Sequence, residues 1–304
     1  MLNTVTPRPR AAATWSARML RLKIACIGLS LALAGCSSVP LKEAGTLTSY
    51  NQLGPAKGKF NKSRTFVDAK ALGSIRSVSI SPTVFSPSAA SRVKEARDRA
   101  LVLNALDRAM CVALSDKYQV VPAGQPSDLT VKTVIADLVP TDKITAGVSK
   151  AVSLGSSAVL PVSIPRLPLG FGGLAVEAEA LDRNGTQRAA MVWSRGANSF
   201  TTEARVSEIG DAYSLGATFG DDFSRMLVTG KAPSGWHISI PSGQRIKSFL
   251  GGKPKYAACE VFGRAPGLFG MVGAKVGAPP SWTDKSAKTR PTPLAVQGPP
   301  ATLQ

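Results

Sequence analysis

The chain has 304 residues, with 37 Lys and Arg against 19 Asp and Glu, a formal charge of +18 and 44% hydrophobic residues. A single histidine and four cysteines at distant positions exclude the clustered His and Cys spacing of a zinc centre. The longest uncharged, mostly apolar runs are eleven residues at 24–34 and fifteen at 151–165, short of the ~20 that a membrane-spanning helix needs.

The first of these runs gives an address. Arg18, Arg21 and Lys23 precede it with no acidic residue upstream, and Leu33-Ala34-Gly35-Cys36 closes it, the charged, apolar and small-residue succession of a secretory signal. The tetrapeptide resembles a bacterial lipobox. That resemblance implies diacylglyceryl transfer to Cys36, cleavage between Gly35 and Cys36, and acylation of the new N-terminus. Starting at Met19 gives the segment ordinary proportions, so Met19 is the expected first residue. Ser37 follows the modified position, which in the sorting rule of such lipoproteins directs the protein to the outer membrane. Two or three acyl chains anchor stably, at ~0.8 kcal/mol per buried CH₂. The expected location is the cell envelope, lipid-anchored at the outer membrane and facing the periplasm, where nucleic acid is no partner.

Removing residues 1–35 takes away five basic and no acidic residues, leaving +13. Residues 231–304 hold ten Lys and Arg against two acids, so most of the excess sits in the tail. Such a tail suggests screened attraction to an anionic envelope polymer, wall or lipopolysaccharide. Export also leaves Cys111 and Cys259 in an oxidising compartment, either bridged, which fastens the tail to the body, or as a buried thiol and an unpaired one.

Three segments follow from Cys36 onward. Residues 36–64 read as a polar tether, within which Leu47, Tyr50 and Leu53 at helical spacing suit docking on the domain. Residues 65–230 read as an α+β domain, a mixed sheet with two main helices in the order β-α-β-β, apolar loop, β-hairpin, α. Its parts are a strand at 75–85, bent or at an edge because of Pro82, and a helix from Ser91 to about Asp116. A short strand at 118–121 closes a strand-helix-strand unit that is parallel and right-handed if both strands share a sheet, and another strand spans 129–139. Residues 147–174 carry only Lys150 and Arg166 as charges, with three prolines and five glycines. This apolar loop either packs on its own domain or meets a partner through Leu154, Leu160, Ile164 and Phe171.

The clearest element is a hairpin at 174–195 about Asn184-Gly185, which pairs Val176 with Trp193, Ala178 with Met191 and Ala180 with Ala189. Glu177 and Glu179 fall on the other face, read as exposed. A helix from Ser207 to about Val228 ends at Gly230, and its Asp211, Asp221 and Asp222 read as a wet side. Residues 231–304 form a basic tail with ten prolines and ten glycines, strand-like pieces at 236–240 and 256–262, and disorder after about 277.

Catalytic sets are sparse. His237 beside Trp236 reads as a surface residue. Ser91-Arg92-Val93-Lys94 matches the SxxK of penicillin-binding enzymes, but no Ser-Asp-Asn follows and Lys288-Thr289-Arg290 is not Lys-Thr-Gly; Ser91 reads as a helix cap. The 170–175 run of Gly170-Phe171-Gly172-Gly173-Leu174-Ala175 leads into a strand, so a dinucleotide phosphate finds no helix N-terminus there. No cofactor or metal is expected. Glu177 and Glu179, ~7 Å apart on one face, are the one carboxylate pair suited to acid–base work.

Residues 45–53, 166–179 and 206–213, together with the lipobox, resemble the bacterial lipoproteins grouped as domain of unknown function 3313, over about residues 20–230. The resemblance implies an exported envelope lipoprotein and supplies no activity. The expected function is therefore a noncatalytic envelope accessory protein that binds an unknown envelope partner. The alternatives are a cationic tether to wall or lipopolysaccharide and an enzyme built on the carboxylate pair.

Overall fold

The structure, a computed structural model, describes residues 39–58, 61–159, 170–198, 202–233 and 241–288. Two layers face each other, a mixed sheet and a pair of long helices. The elements run β1 (Asn61–Val67), α1 (Ala69–Leu72), β2 (Ser77–Ile80), β3 (Val84–Phe85), α2 (Pro87–Ala90) and α3 (Ala96–Leu114). There follow β4 (Gln119–Val121), β5 (Leu129–Val139), α4 (Lys143–Val159), β6 (Gly173–Asp182), β7 (Gln187–Gly196) and α5 (Gly210–Thr229).

The seven strands lie in the order β1-β7-β6-β5-β2-β4, with β3 also on β5. The β2, β3 and β4 pairings are parallel, and the rest antiparallel. The α+β architecture is the expected one. The hairpin register is also as expected, with Val176 opposite Trp193, Ala178 opposite Met191 and Ala180 opposite Ala189. Alternation explains it: these residues share one face and all are buried against α3 and α5. Trp193 meets Phe219 edge-on at 5.6 Å, and Phe219 stacks on Phe223 at 5.9 Å.

The helices approach closely because α5 carries glycine where it crosses α3. A Cβ on Gly220 would stand 2.7 Å from the Leu106 carbonyl oxygen and 2.9 Å from the Met110 nitrogen. Gly230 ends α5 in the left-handed region, φ 68°, its amide bonded to the Met226 carbonyl at 2.9 Å.

Several expectations are corrected. The strand at 75–85 is two strands, because Pro82 offers no amide to the ladder and Thr83 turns inward to donate its amide and hydroxyl to Asp107. The long helix starts at Ala96 rather than after Ser91. Ser91 closes α2, which Ser86 caps, and the Arg99 guanidinium covers the Val93 and Lys94 carbonyls at 2.5 and 2.9 Å. The first part of the apolar loop is helix α4, on which Ala146 and Ser149 are buried. Phe171 is buried too, so it belongs to the core rather than to a partner surface. Leu154 lies in α4 with its side chain outside the described part, and Leu160 and Ile164 fall outside the described residues altogether.

The tail is corrected most. It folds as α6 (Gly243–Phe249), a 3₁₀ helix at Ala257–Phe262 in place of a strand, α7 (Gly267–Lys275), α8 (Pro280–Thr283) and a 3₁₀ turn at Ser286–Lys288. Definite structure thus continues past 277, with Asp284 and Ser286 buried. The cause is α3, whose second half carries apolar residues on more than one side together with Asn104 and Arg108, and so needs a second cover besides the sheet. Cys111 on α3 is joined to Cys259 with Cα atoms 5.8 Å apart. Arg108 donates to Asp284 at 2.8 Å and to the Phe262 carbonyl at 3.3 Å, and Asn104 donates to the Ser286 carbonyl at 2.7 Å. His237, Trp236 and the strand expected there lie outside the described residues, as do Gly35, Cys36 and the whole signal.

Candidate functional site

The residues best suited to chemistry, Glu177 and Glu179, stand at alternate positions of β6. Alternation points them away from the helix layer. Their face is not exposed: Glu177 is 0% and Glu179 2% accessible, and their cross-strand neighbours Val192 and Ala190 are fully buried. The cover is the segment expected to be a tether. Residues 39–58 lie across the sheet as a strap, with Val39, Leu47 and Leu53 buried on it. Only its tip behaves as expected, in that the docking of Leu47, Tyr50 and Leu53 is the contact foreseen. Residues 61–64 belong to β1 and not to a tether.

Strap and carboxylates are matched donor for acceptor. Glu177 accepts from the Ala44 amide at 2.9 Å, the Thr46 amide at 2.8 Å, the Thr46 hydroxyl and the Tyr50 hydroxyl at 2.8 Å. Glu179 accepts from the Thr48 amide at 2.7 Å, the Thr48 hydroxyl at 3.0 Å and the Gln187 amide nitrogen at 2.9 Å. Each carboxylate oxygen therefore has at least one donor, which is how a buried charge is tolerated. Burial above all, with the adjacent Glu177 carboxylate, pushes the Tyr50 hydroxyl up to about 12 against the opposing pull of the Leu47 amide; it therefore stays a donor. A substrate has no route to either carboxylate while the strap is docked.

Two further contacts hold the strap's first residue. The Ser194 hydroxyl donates to the Val39 carbonyl at 2.9 Å, and a Cβ on Gly173 would overlap the Val39 Cγ2. At the strap's outer side, Lys42 pairs with Asp137 at 3.6 Å and Arg64 with Glu43 at 2.5 Å.

The acids of α5 are likewise not a wet side. Asp211 is 0% accessible and accepts from the Gly172 amide at 2.8 Å, tying the start of β6 to the start of α5. Asp222 is buried and accepts from the Trp193 indole at 3.3 Å, and burial raises its carboxyl despite Arg225 nearby. The half-buried Asp221 is raised by desolvation too, against the Arg245 guanidinium that bonds it. Ser91 and Lys94 are exposed and not on one helix, which removes the SxxK geometry.

Among the described residues, no three or more His, Cys, Asp or Glu stand together as a metal site, and no helix is long and apolar enough to cross a membrane. An open depression of about 230 Å³ near the hairpin turn is lined by Asp128, Asp182, Arg183 and Arg188 among others. Its charges are already paired: Arg183 with Asp128 at 2.6 Å, and Arg188 with Asp68 at 3.0 Å and Asp182 at 2.8 Å.

Reading the sequence missed the strap donors Ala44, Thr46 and Thr48. A signal was present in the hairpin, where Ala190 and Val192 share the glutamates' face. Two apolar residues opposite a carboxylate pair imply a cover.

A family model for a protein of unknown function, DUF3313, matches residues 42–223, which takes in the strap from Lys42 onward, the whole sheet and most of α5. The chain belongs to the DUF3313 family. No curated protein matches it. Among solved structures, dodecameric PelC from Paraburkholderia phytofirmans is similar with a TM-score of 0.32 at 10% identity, over 57% of this chain and 99% of that one. A single-residue variant of the same dodecamer gives 0.32 at 8% identity, over 56% and 97%.

Proposed function

We propose that this protein is an outer-membrane lipoprotein, acylated at Cys36 and facing the periplasm, whose body is a noncatalytic accessory module seated directly on the leaflet that holds it. One observation supports the reading above the others: the strap engages the sheet at Val39, three residues after Cys36. At ~3.6 Å per residue, Cys36 lies no more than about 11 Å from Val39. The anchor and the fold are thus joined without slack. The glutamate pair serves this attachment, its oxygens taken up by the segment that leads to the lipid, which argues for a structural rather than a catalytic use.

Mass spectrometry of the mature N-terminal peptide tests this. A diacylglyceryl-modified, N-acylated Cys36 is expected, and Cys36→Ser, which removes the thiol that takes the lipid and leaves the signal uncleaved, should deplete the protein from the outer-membrane fraction. An unmodified or uncleaved N-terminus, or unchanged fractionation of the variant, overturns it.

A further inference from the structure

Val39 enters at one end of the sheet, and the same end carries two exposed apolar helix faces. Val39 packs on Ala136 and Ala175 and against Gly173, where β5 ends and β6 begins. From there Gly172 touches Thr141, and Asp142 caps the first turn of α4 by accepting from the Thr145 amide at 2.9 Å. On α4, Ile144 and Val148 are one turn apart and 80% and 52% exposed. The end of α7 is tied to α4 through Glu203, which takes Lys150 at 3.2 Å and Lys275 at 2.9 Å. On α7, Phe269 and Val272, followed by Val276 at its C-cap, keep the three-four rhythm and are 83%, 64% and 57% exposed, while Gly270, Gly273 and Ala274 face inward. Arg97, at the start of α3, donates to the Ser281 carbonyl at 2.7 Å, so α8 sits at this end as well, with Trp282 74% exposed.

Scattered apolar residues on a surface need no explanation, but two helices with apolar stripes, both beside one chain exit, do. We infer that α4 and α7 dip their apolar faces into the phospholipid leaflet that holds the acylated N-terminus, giving the body a fixed orientation on the membrane. This rests on the lipoprotein reading above. The occupant follows from the chain itself: the link from Val39 to the acyl anchor is at most about 11 Å, so the leaflet is the surface brought against this end of the molecule. The residues are those of interfacial helices, with Phe, Val, Ile and Trp toward lipid and, at the borders, the exposed Lys143 and Lys275, paired with Glu208 at 3.0 Å and Glu203 at 2.9 Å. An anchored protein needs little added affinity to orient, since the anchor already supplies the encounter.

The test uses the mature, full-length lipoprotein reconstituted in vesicles of phosphatidylethanolamine and phosphatidylglycerol. Nitroxide is attached at Ile144→Cys or Phe269→Cys, with Asn184→Cys in the exposed hairpin turn at the far end of the sheet as reference. The ratio of collision with oxygen to collision with a water-soluble nickel complex is expected to be several-fold higher at 144 and 269 than at 184. The intact mass of the same sample reports both the acylated N-terminus and the closed Cys111–Cys259 bridge, which verifies folding. An acylated protein whose labels at 144 and 269 are as open to nickel as the one at 184 overturns this inference and leaves the anchor standing. Labels shielded from nickel with no gain in oxygen collisions reveal cover by another protein segment or a second copy, and also overturn it. A missing acyl group overturns the anchoring and this inference together.

Discussion

Glu177 and Glu179 draw their structural meaning from what they accept. Two of the donors to Glu177 are backbone amides of a strap that otherwise has few buried side chains, so the carboxylates act as the sheet's substitute for a strand partner. Hydrogen bonds to a charged group contribute about 1.5–3 kcal/mol each, and a donor left unpaired in a buried site costs comparably. Glu177→Gln turns a four-bond acceptor into a group whose amide half faces donors. It should lower stability by about 2–4 kcal/mol and raise hydrogen exchange at residues 44–50 while α3 and α5 stay protected. Unchanged exchange over 44–50 would mean that Leu47 and Leu53 hold the strap by themselves. The same residues show the limit of reading a strand face from its own side chains. Glutamate on alternate positions suggested solvent, yet the matching donors lie 131 residues earlier in the chain.

At the scale of elements, the contact of α3 with α5 turns on two glycines one turn apart that are not equivalent. At Gly220 a methyl group would press on the α3 backbone, whereas at Gly216 it would meet nothing nearer than 3.4 Å. Gly220→Ala should therefore cost about 1–3 kcal/mol as overpacking. Gly216→Ala should be neutral or stabilise by up to about 1 kcal/mol, since alanine is the better helix former. Denaturant unfolding of the two single variants checks the contrast, and equal midpoints would show that the helices can slide apart freely. The periodicity of α5 and its stop at Gly230 were legible because both are local. The closeness of its partner was not, because Gly216 and Gly220 look alike until α3 is laid against them.

Over the whole molecule, the helix layer is held between the sheet and a tail that composition alone marked as loose. The disulfide fixes one point of that tail, and the Asp284 cluster fixes another. Burial works to raise the Asp284 carboxyl, but Arg108 and hydrogen bonds from Tyr213 and Ser286 outweigh it and hold the group below the ordinary carboxylate range. A carboxyl depressed on folding contributes stability that is present above its unfolded pKa and lost as pH falls through the folded one. Hydrogen exchange of residues 280–288 should accordingly stay slow at neutral pH and rise below about pH 4, ahead of the sheet. Asp284→Asn should abolish that step and cost about 3–5 kcal/mol at pH 7, because Arg108 is left buried without its anion. Acid exchange that rises at the same pH in wild type and variant would place the cause elsewhere.

By itself the sequence determined what depends on near neighbours: the hairpin and its register, the strand at 129–139, the α+β class and the end of the last main helix. Turn chemistry and two- or 3.6-residue periodicity act within a few residues, so they can be read without a partner. Only the tertiary structure decided which faces are wet. The strap over Glu177 and Glu179, the burial of Asp211 and Asp222, and the folding of the tail on α3 all depend on covers from distant parts of the chain. Residue polarity does not reveal such covers, because a buried charge and an exposed one are written with the same letter until its hydrogen-bond donors are found.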